Sequence, residues 1–120
     1  FDVSLPIVDM EAYVAEVREA LQAGWPGKAT LTVFGHLGDG NLHLVAGVGS
    51  RDKPTKQAVE AIVYGGLRGR DGSISAEHGI GLEKRDYLAW SRTPEEIALM
   101  RALKATLDPN NILNPGKVLA

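Results

Sequence analysis

The sequence predicts an α+β domain: an antiparallel sheet with helices packed on one face, a ferredoxin-like plait, followed by a C-terminal helical segment. Three observations lead there. Apolar residues recur at helical spacing over 10–23 and again over 54–64. Between them, "ATLTVFGHL" and "NLHLVAGVG" are rich in apolar and β-branched residues on either side of the turn signal Asp39-Gly40. The chain opens on the apolar, strand-like "FDVSLPI" and returns to a short extended "SIS" at 73–75. Strand, helix, hairpin, helix and a last extended piece is the element order of a plait.

Each element has its own signals. Asp9 is placed as the N-cap of the first helix, whose Met10, Tyr13, Val14, Val17 and Leu21 form one apolar face, and Gly24-Trp25-Pro26-Gly27 ends it. Pro54 can open the second helix, with Ala58, Val59, Ile62 and Val63 facing inward, until "GGLRGRDGS" breaks the pattern. Thr93-Pro94-Glu95-Glu96 combines a capping hydroxyl, proline at the first helical position and glutamate at the third. The helix that follows should bury Ile97, Met100, Leu103 and Leu107 and stop at Asp108-Pro109.

Bulk composition narrows the function classes. The 120 residues make one domain with a moderate core, and Phe1 in place of an initiator Met predicts a piece of a larger protein. Thirteen basic and fifteen acidic residues are scattered without runs, which gives no footprint for nucleic acid or an anionic membrane. The absence of cysteine excludes disulfides and thiolate metal sites and favours a reducing compartment. No apolar run approaches the roughly 18 residues of a membrane span, and the first residues lack a signal peptide's charged and apolar regions.

Two glycine-rich stretches hold all three histidines of the chain. In "HLGDGNLH", residues 36–43, a two-residue type I′ loop at Asp39-Gly40 would pair Gly38 with Asn41, Leu37 with Leu42 and His36 with His43. Both rings would then leave the same face, with Cβ atoms roughly 4.5–5.5 Å apart, and reach one metal at about 2.0–2.1 Å, while Leu37 and Leu42 point to the core. On the hairpin alone, two imidazoles beside a bend read first as partly exposed polar residues, since a closed site needs a third ligand. In "ISAEHGIGLEKRDYL", residues 74–88, the adjacent Glu77 and His78 precede Gly79 and Gly81. Glu77 either completes a His-His-Glu set with an open fourth position or caps a following short helix. His78, with an ordinary imidazole pKa near 6.5, is suited to take a proton at neutral pH, or is simply solvated. Lys84 and Arg85 are either carboxylate anchors or, at helical positions beside Glu83 and Asp86, an exposed charged face, the reading taken here. "GWPGKAT", "GDGNLH" and "GVGSRD" each lack a glycine or hydroxyl that a phosphate or dinucleotide loop requires.

Taken together, "GHLGDGNLHL", "GSISAEHGIGLEKRDYL" and "LKATLDPNNILNPGKVL" resemble the C-terminal, substrate-side domain of the FAD-linked oxidases. That group contains the flavin subunit of bacterial glycolate oxidase, D-lactate dehydrogenases and D-2-hydroxyglutarate dehydrogenase. The resemblance covers nearly the whole chain and implies that residues 1–120 are the C-terminal part of such an enzyme, whose FAD-binding domain lies outside this chain. It implies oxidation of a small D-2-hydroxy acid, of glycolate or D-lactate type, to the 2-keto acid by hydride transfer to flavin, and an isolated fragment without activity. By the same resemblance His36, His43 and Glu77 hold a divalent metal such as zinc or manganese, and His78 is the base that takes the hydroxyl proton. Asn114, and with it Asn41, are the implied cofactor contacts, although FAD is bound mainly by the missing domain. The implied partners are the 2-hydroxy acid, the FAD-binding domain of the same parent, an electron-acceptor subunit and a second copy of the chain, in the cytoplasm or at a membrane through partner subunits. One position departs from the family pattern: relatives commonly carry asparagine two residues after the second histidine, where this chain has Val45, so no particular substrate carries over. Two other readings stay open: a plait-like metal or small-ligand binding module without catalysis, and a family member that uses the same histidines without a metal.

Overall fold

A computed structural model describes residues 1–119. Its elements are β1 (Asp2–Ser4), α1 (Met10–Gly24), β2 (Thr30–Phe34), β3 (Asn41–Gly47), α2 (Lys53–Gly65) and α3 (Pro94–Leu107), with short 3-10 turns at Ile7–Asp9, Leu37–Asp39 and Arg85–Trp90. The sheet is three-stranded and antiparallel in the order β1-β3-β2, so the α+β expectation holds. Ser73 adds a single bridge to the outer side of β1, exchanging two backbone hydrogen bonds with Ser4 at 3.0 and 2.7 Å. That is the fourth position of a plait, but the expected strand does not extend. The Ser73 hydroxyl donates to the Ser75 carbonyl and accepts from the Ser75 N–H, which bends the chain away after one pair.

Alternation along β3 sorts the sheet into two faces. Leu42 and Leu44 point into the core with Val3 of β1, where they meet Tyr13, Val17 and Leu21 of α1 and Val59 and Val63 of α2. Each such side chain, once fully buried, contributes roughly 1.5–3 kcal/mol. The Tyr13 hydroxyl donates to the Val63 carbonyl at 2.9 Å and ties the two helices together. Asn41, His43 and Val45 take the opposite face, alongside Asp2 of β1 and Phe34 of β2.

Several local expectations are corrected. The hairpin does not close through a two-residue turn, because only Gly40 adopts positive φ (74°) while Asp39 stays in the 3-10 turn. The register is therefore Phe34 opposite His43, and neither the His36–His43 nor the Leu37–Leu42 pair forms. Leu42 is buried, whereas Leu37 is 56% exposed. Asp9 stands at the N-cap position without a side-chain cap, since the 3-10 turn runs straight into α1. The second helix opens with Pro54 in its first turn as expected and is capped by Asp52, which accepts from the Thr55 N–H at 2.8 Å, but Ala58 faces solvent. The Thr93–Glu96 capping box of α3 forms as expected. Its apolar stripe does not bury: Leu103 and Leu107 are 53% and 78% exposed, because among the described residues nothing packs over that side of the helix.

Gly40 is required by more than its dihedral. A Cβ there would stand 2.8 Å from the Leu5 carbonyl oxygen, and Leu5 N–H donates to the Gly40 carbonyl at 3.0 Å. Gly40→Ala should cost about 1–3 kcal/mol, read as a lower urea midpoint.

Candidate active site and metal centre

The sheet face opposite the helices carries the site. His43 sits on the central strand, with Asp2 its partner on β1 and Phe34 its partner on β2. The Phe34 ring stacks on the His43 ring at 5.3 Å with 26° between the planes, fixing the imidazole from one side. His36 approaches from the loop after β2, and Glu77 and His78 come from the loop after the Ser4–Ser73 bridge.

The loop therefore brings the expected residues together by a different route from the expected cross-strand pair. His36 Nδ1 lies 3.1 Å from Glu77 Oε1, and His43 Nε2 lies 3.8 Å from Glu77 Oε2. One ligand atom from each of His36, His43 and Glu77 falls within 4.8 Å of the others. Ligands bound to one ion at about 2.0–2.2 Å can be no more than about 4.4 Å apart, so a small contraction would close this set on a divalent cation. Two imidazoles and a carboxylate, without sulfur, are donors that zinc or manganese accept. His36 and Glu77 remain open, with side chains 68% and 43% exposed, which leaves room for a further ligand.

Asn41, an expected cofactor contact, stands within the histidine cluster. It is buried, its amide donates to Glu77 Oε1 at 2.5 Å, and its nitrogen is 3.4 Å from His36 Nδ1. It therefore orients the carboxylate between the two histidines, while its own Oδ1 is buried with no partner among the described residues. Asn114 lies elsewhere, exposed and at φ 48°, on a groove of about 690 Å³ formed with Arg101, Lys104 and the tail and sharing no residue with the histidine cluster. The tail is held by Val118 N–H on the Gly81 carbonyl at 2.8 Å and by Arg85 on the Gly116 carbonyl at 2.7 Å.

The base of the site is a buried carboxylate. Asp2 Oδ2 accepts the backbone N–H groups of Ala76, Glu77 and His78 at 3.0, 2.8 and 2.9 Å and the Ser75 hydroxyl at 3.2 Å. Its Oδ1 is paired with Lys84 and lies 3.3 Å from His78 Nδ1. Burial alone would raise the Asp2 pKa, but the His78 N–H, the Lys84 ammonium and the Glu77 N–H outweigh it and hold the carboxyl well below the usual range. Lys84 is thus corrected from an exposed charge to an internal counterion, its side chain only 12% exposed. Glu77 caps no helix, since the next helical turn begins at Arg85. Asp2 escaped the sequence reading because "DVS" shows only a strand start. The available signal was alternation, which puts Asp2 on the face opposite the core residue Val3.

Comparison with known proteins places the chain in a family. Residues 1–118 match the family model for FAD linked oxidases, C-terminal domain. The chain is 44% identical over 119 residues to the mitochondrial D-2-hydroxyglutarate dehydrogenase of Bos taurus, covering 99% of this chain and 21% of that protein. It is 41% identical over 124 residues to the D-2-hydroxyglutarate dehydrogenase of Stutzerimonas stutzeri, covering 99% of this chain and 26% of that protein. A D-2-hydroxyglutarate–pyruvate transhydrogenase of Saccharomyces cerevisiae is 41% identical over 125 residues, covering 99% and 25%. The chain thus spans between about a fifth and a quarter of the length of these relatives. Matched from its first strand to its tail, it belongs to the FAD-linked oxidase C-terminal domain family.

Proposed function

We propose that this chain is the substrate-side, metal-holding domain of an FAD-dependent D-2-hydroxyacid dehydrogenase, and that D-2-hydroxyglutarate is its substrate in preference to glycolate or D-lactate. The observation that carries the reading is the convergence of His36, His43 and Glu77 within 4.8 Å of one another, with His78 alongside, His43 to His78 ring centroids being 5.8 Å apart. The substrate choice follows the names of the relatives, all at 40% identity or more over nearly the whole chain. FAD would supply the two-electron acceptor, and a divalent ion held by His36, His43 and Glu77 would supply Lewis acidity toward the substrate's hydroxyl and carboxylate oxygens. The protein's own part is placement. His78 accepts the hydroxyl proton, Asn41 keeps the Glu77 carboxylate between the two imidazoles, and Phe34 screens one face of His43 from water.

A metal-free variant of this reading has its own support, because Glu77 already bonds directly to His36 and Asn41. Elemental mass spectrometry of the 120-residue chain after zinc or manganese addition separates the two. We expect about one equivalent in the wild type and none in His43→Ala; equal, negligible metal in both would sink the metal centre and leave the histidines to act directly.

A further inference from the structure

We infer that this chain recognises the second carboxylate of a dicarboxylic 2-hydroxy acid through Arg51 and Thr32, in a groove that continues the open sheet face beyond the histidine cluster. The inference rests on the reading of that cluster as the seat of the 2-hydroxy acid, and it names the residues that select the acid's tail. The groove, of about 910 Å³, begins at the cross-strand pair Thr32–Val45, the row next to Phe34–His43 on the same face. It continues past Thr30–Gly47 to Arg51, on the loop between β3 and α2. In the other direction the face is closed, since Asn41 is buried, whereas Val45 is 59% exposed. A molecule held at the cluster can therefore extend along β3 only toward Val45.

Most polar side chains of the groove are already committed. The Thr30 hydroxyl donates to the Gly47 carbonyl at 3.4 Å, and the hydroxyls of Ser50 and Thr55 both donate to Asp52, the cap of α2. Lys56 lies 3.6 Å from Glu60 and 3.8 Å from Glu83. The Thr32 hydroxyl and the Arg51 guanidinium are the two that line the groove with no hydrogen bond or ion pair among the described residues. A hydroxyl donor and a forked cation together suit a carboxylate. Val45, in the same row as Thr32, offers an apolar surface to the methylenes that lead to it. Length agrees with this assignment. One step along a strand face is roughly 6.8 Å, and C1 and C5 of an extended five-carbon diacid are about 5 Å apart, given C–C bonds of about 1.5 Å. With its oxygens added, the far carboxylate of such an acid reaches the Thr32–Val45 row from the cluster. Glycolate and D-lactate end before it.

Steady-state kinetics of the FAD-loaded full-length parent test the assignment. The two substrates compared are D-2-hydroxyglutarate and D-2-hydroxyvalerate, which carries a methyl group in place of the second carboxylate. The wild type should favour D-2-hydroxyglutarate, and Arg51→Met should reduce the ratio of the two kcat/KM values about 10–100-fold, the effect of losing a hydrogen bond to a charged group. Thr32→Val, which keeps the shape and removes the hydroxyl, should reduce the ratio about tenfold. Arg51→Lys should recover part of what Arg51→Met loses, because the charge returns without the fork. The same order should appear in the binding of 2-oxoglutarate to the oxidised enzyme, followed by flavin absorbance, a readout that turnover does not enter. Arg51 and Thr32 are both exposed, so neither change disturbs the core. A wild type that prefers D-2-hydroxyglutarate, with an unaltered ratio in either Arg51→Met or Thr32→Val, overturns the assignment of that residue and leaves the proposed substrate standing. A wild type that shows no preference between the two acids overturns both.

Discussion

Flavin reduction in the full-length parent should slow about a thousandfold when His78 is replaced by alanine, within the 10²–10⁴ range that a positioned proton acceptor provides. Binding of FAD and of the substrate should be retained. The reason for the separation lies in the side chain's surroundings. His78 is largely exposed, its ring faces His43 at 5.8 Å between centroids, and its backbone N–H on Asp2 is kept by any residue. Removing the ring therefore removes the proton acceptor and leaves the loop in place. Stopped-flow bleaching of the flavin by D-2-hydroxyglutarate measures the step directly. A rate equal to the wild type would eliminate His78 as the base, whatever the metal content.

Asp2→Ala has the largest expected effect on stability, a loss of about 3–5 kcal/mol, the usual result of breaking a buried ion pair by removing one partner. Lys84 would be left as a mostly buried, unpaired ammonium, and the N–H groups of 76, 77 and 78 would lose their common acceptor. The pH dependence follows from the direction of the shift. The folded-state pKa of Asp2 is depressed below the ordinary value of about 3.9, so its contribution is fully present above that value and is lost as the pH falls toward the folded-state pKa. Urea midpoints of the wild type should accordingly drop from about pH 5 downward, and those of Asp2→Asn should start lower and fall less steeply. Parallel acid limbs for the two proteins would show that the Asp2 carboxyl is not stabilised by the fold.

Much of this architecture was legible in the sequence, and the exceptions have physical reasons. The helices could be placed because their signals are local: the Thr93–Glu96 box and the apolar faces of α1 and α2 each lie within a few residues. The histidine cluster could be proposed from motif content, yet its route was misread. Asp39-Gly40 permits a tight turn, but the loop is decided by a distant contact, the Leu5 N–H to Gly40 carbonyl bond, which local propensity does not encode. Burial of α3 was overread for the complementary reason, since a stripe of leucines states that a helix wants a partner and does not state that one is within the same 120 residues. Asp2 and Lys84 were missed because their roles arise from the meeting of segments 82 residues apart.

The anchoring of residues 75–78 on Asp2 also makes the chemistry contingent on the completed chain. Donors and acceptor are separated by 73 to 76 positions, while His36 and Glu77 are separated by 41. Contacts of that span repay the entropy of loop closure only when the sheet already holds both ends. A nascent or nicked polypeptide can contain every one of the motifs and still present no site, so competence appears together with β1 docking beside β3. The strand that opens the described chain thereby places Glu77 and His78 in a single event, through one shared carboxylate.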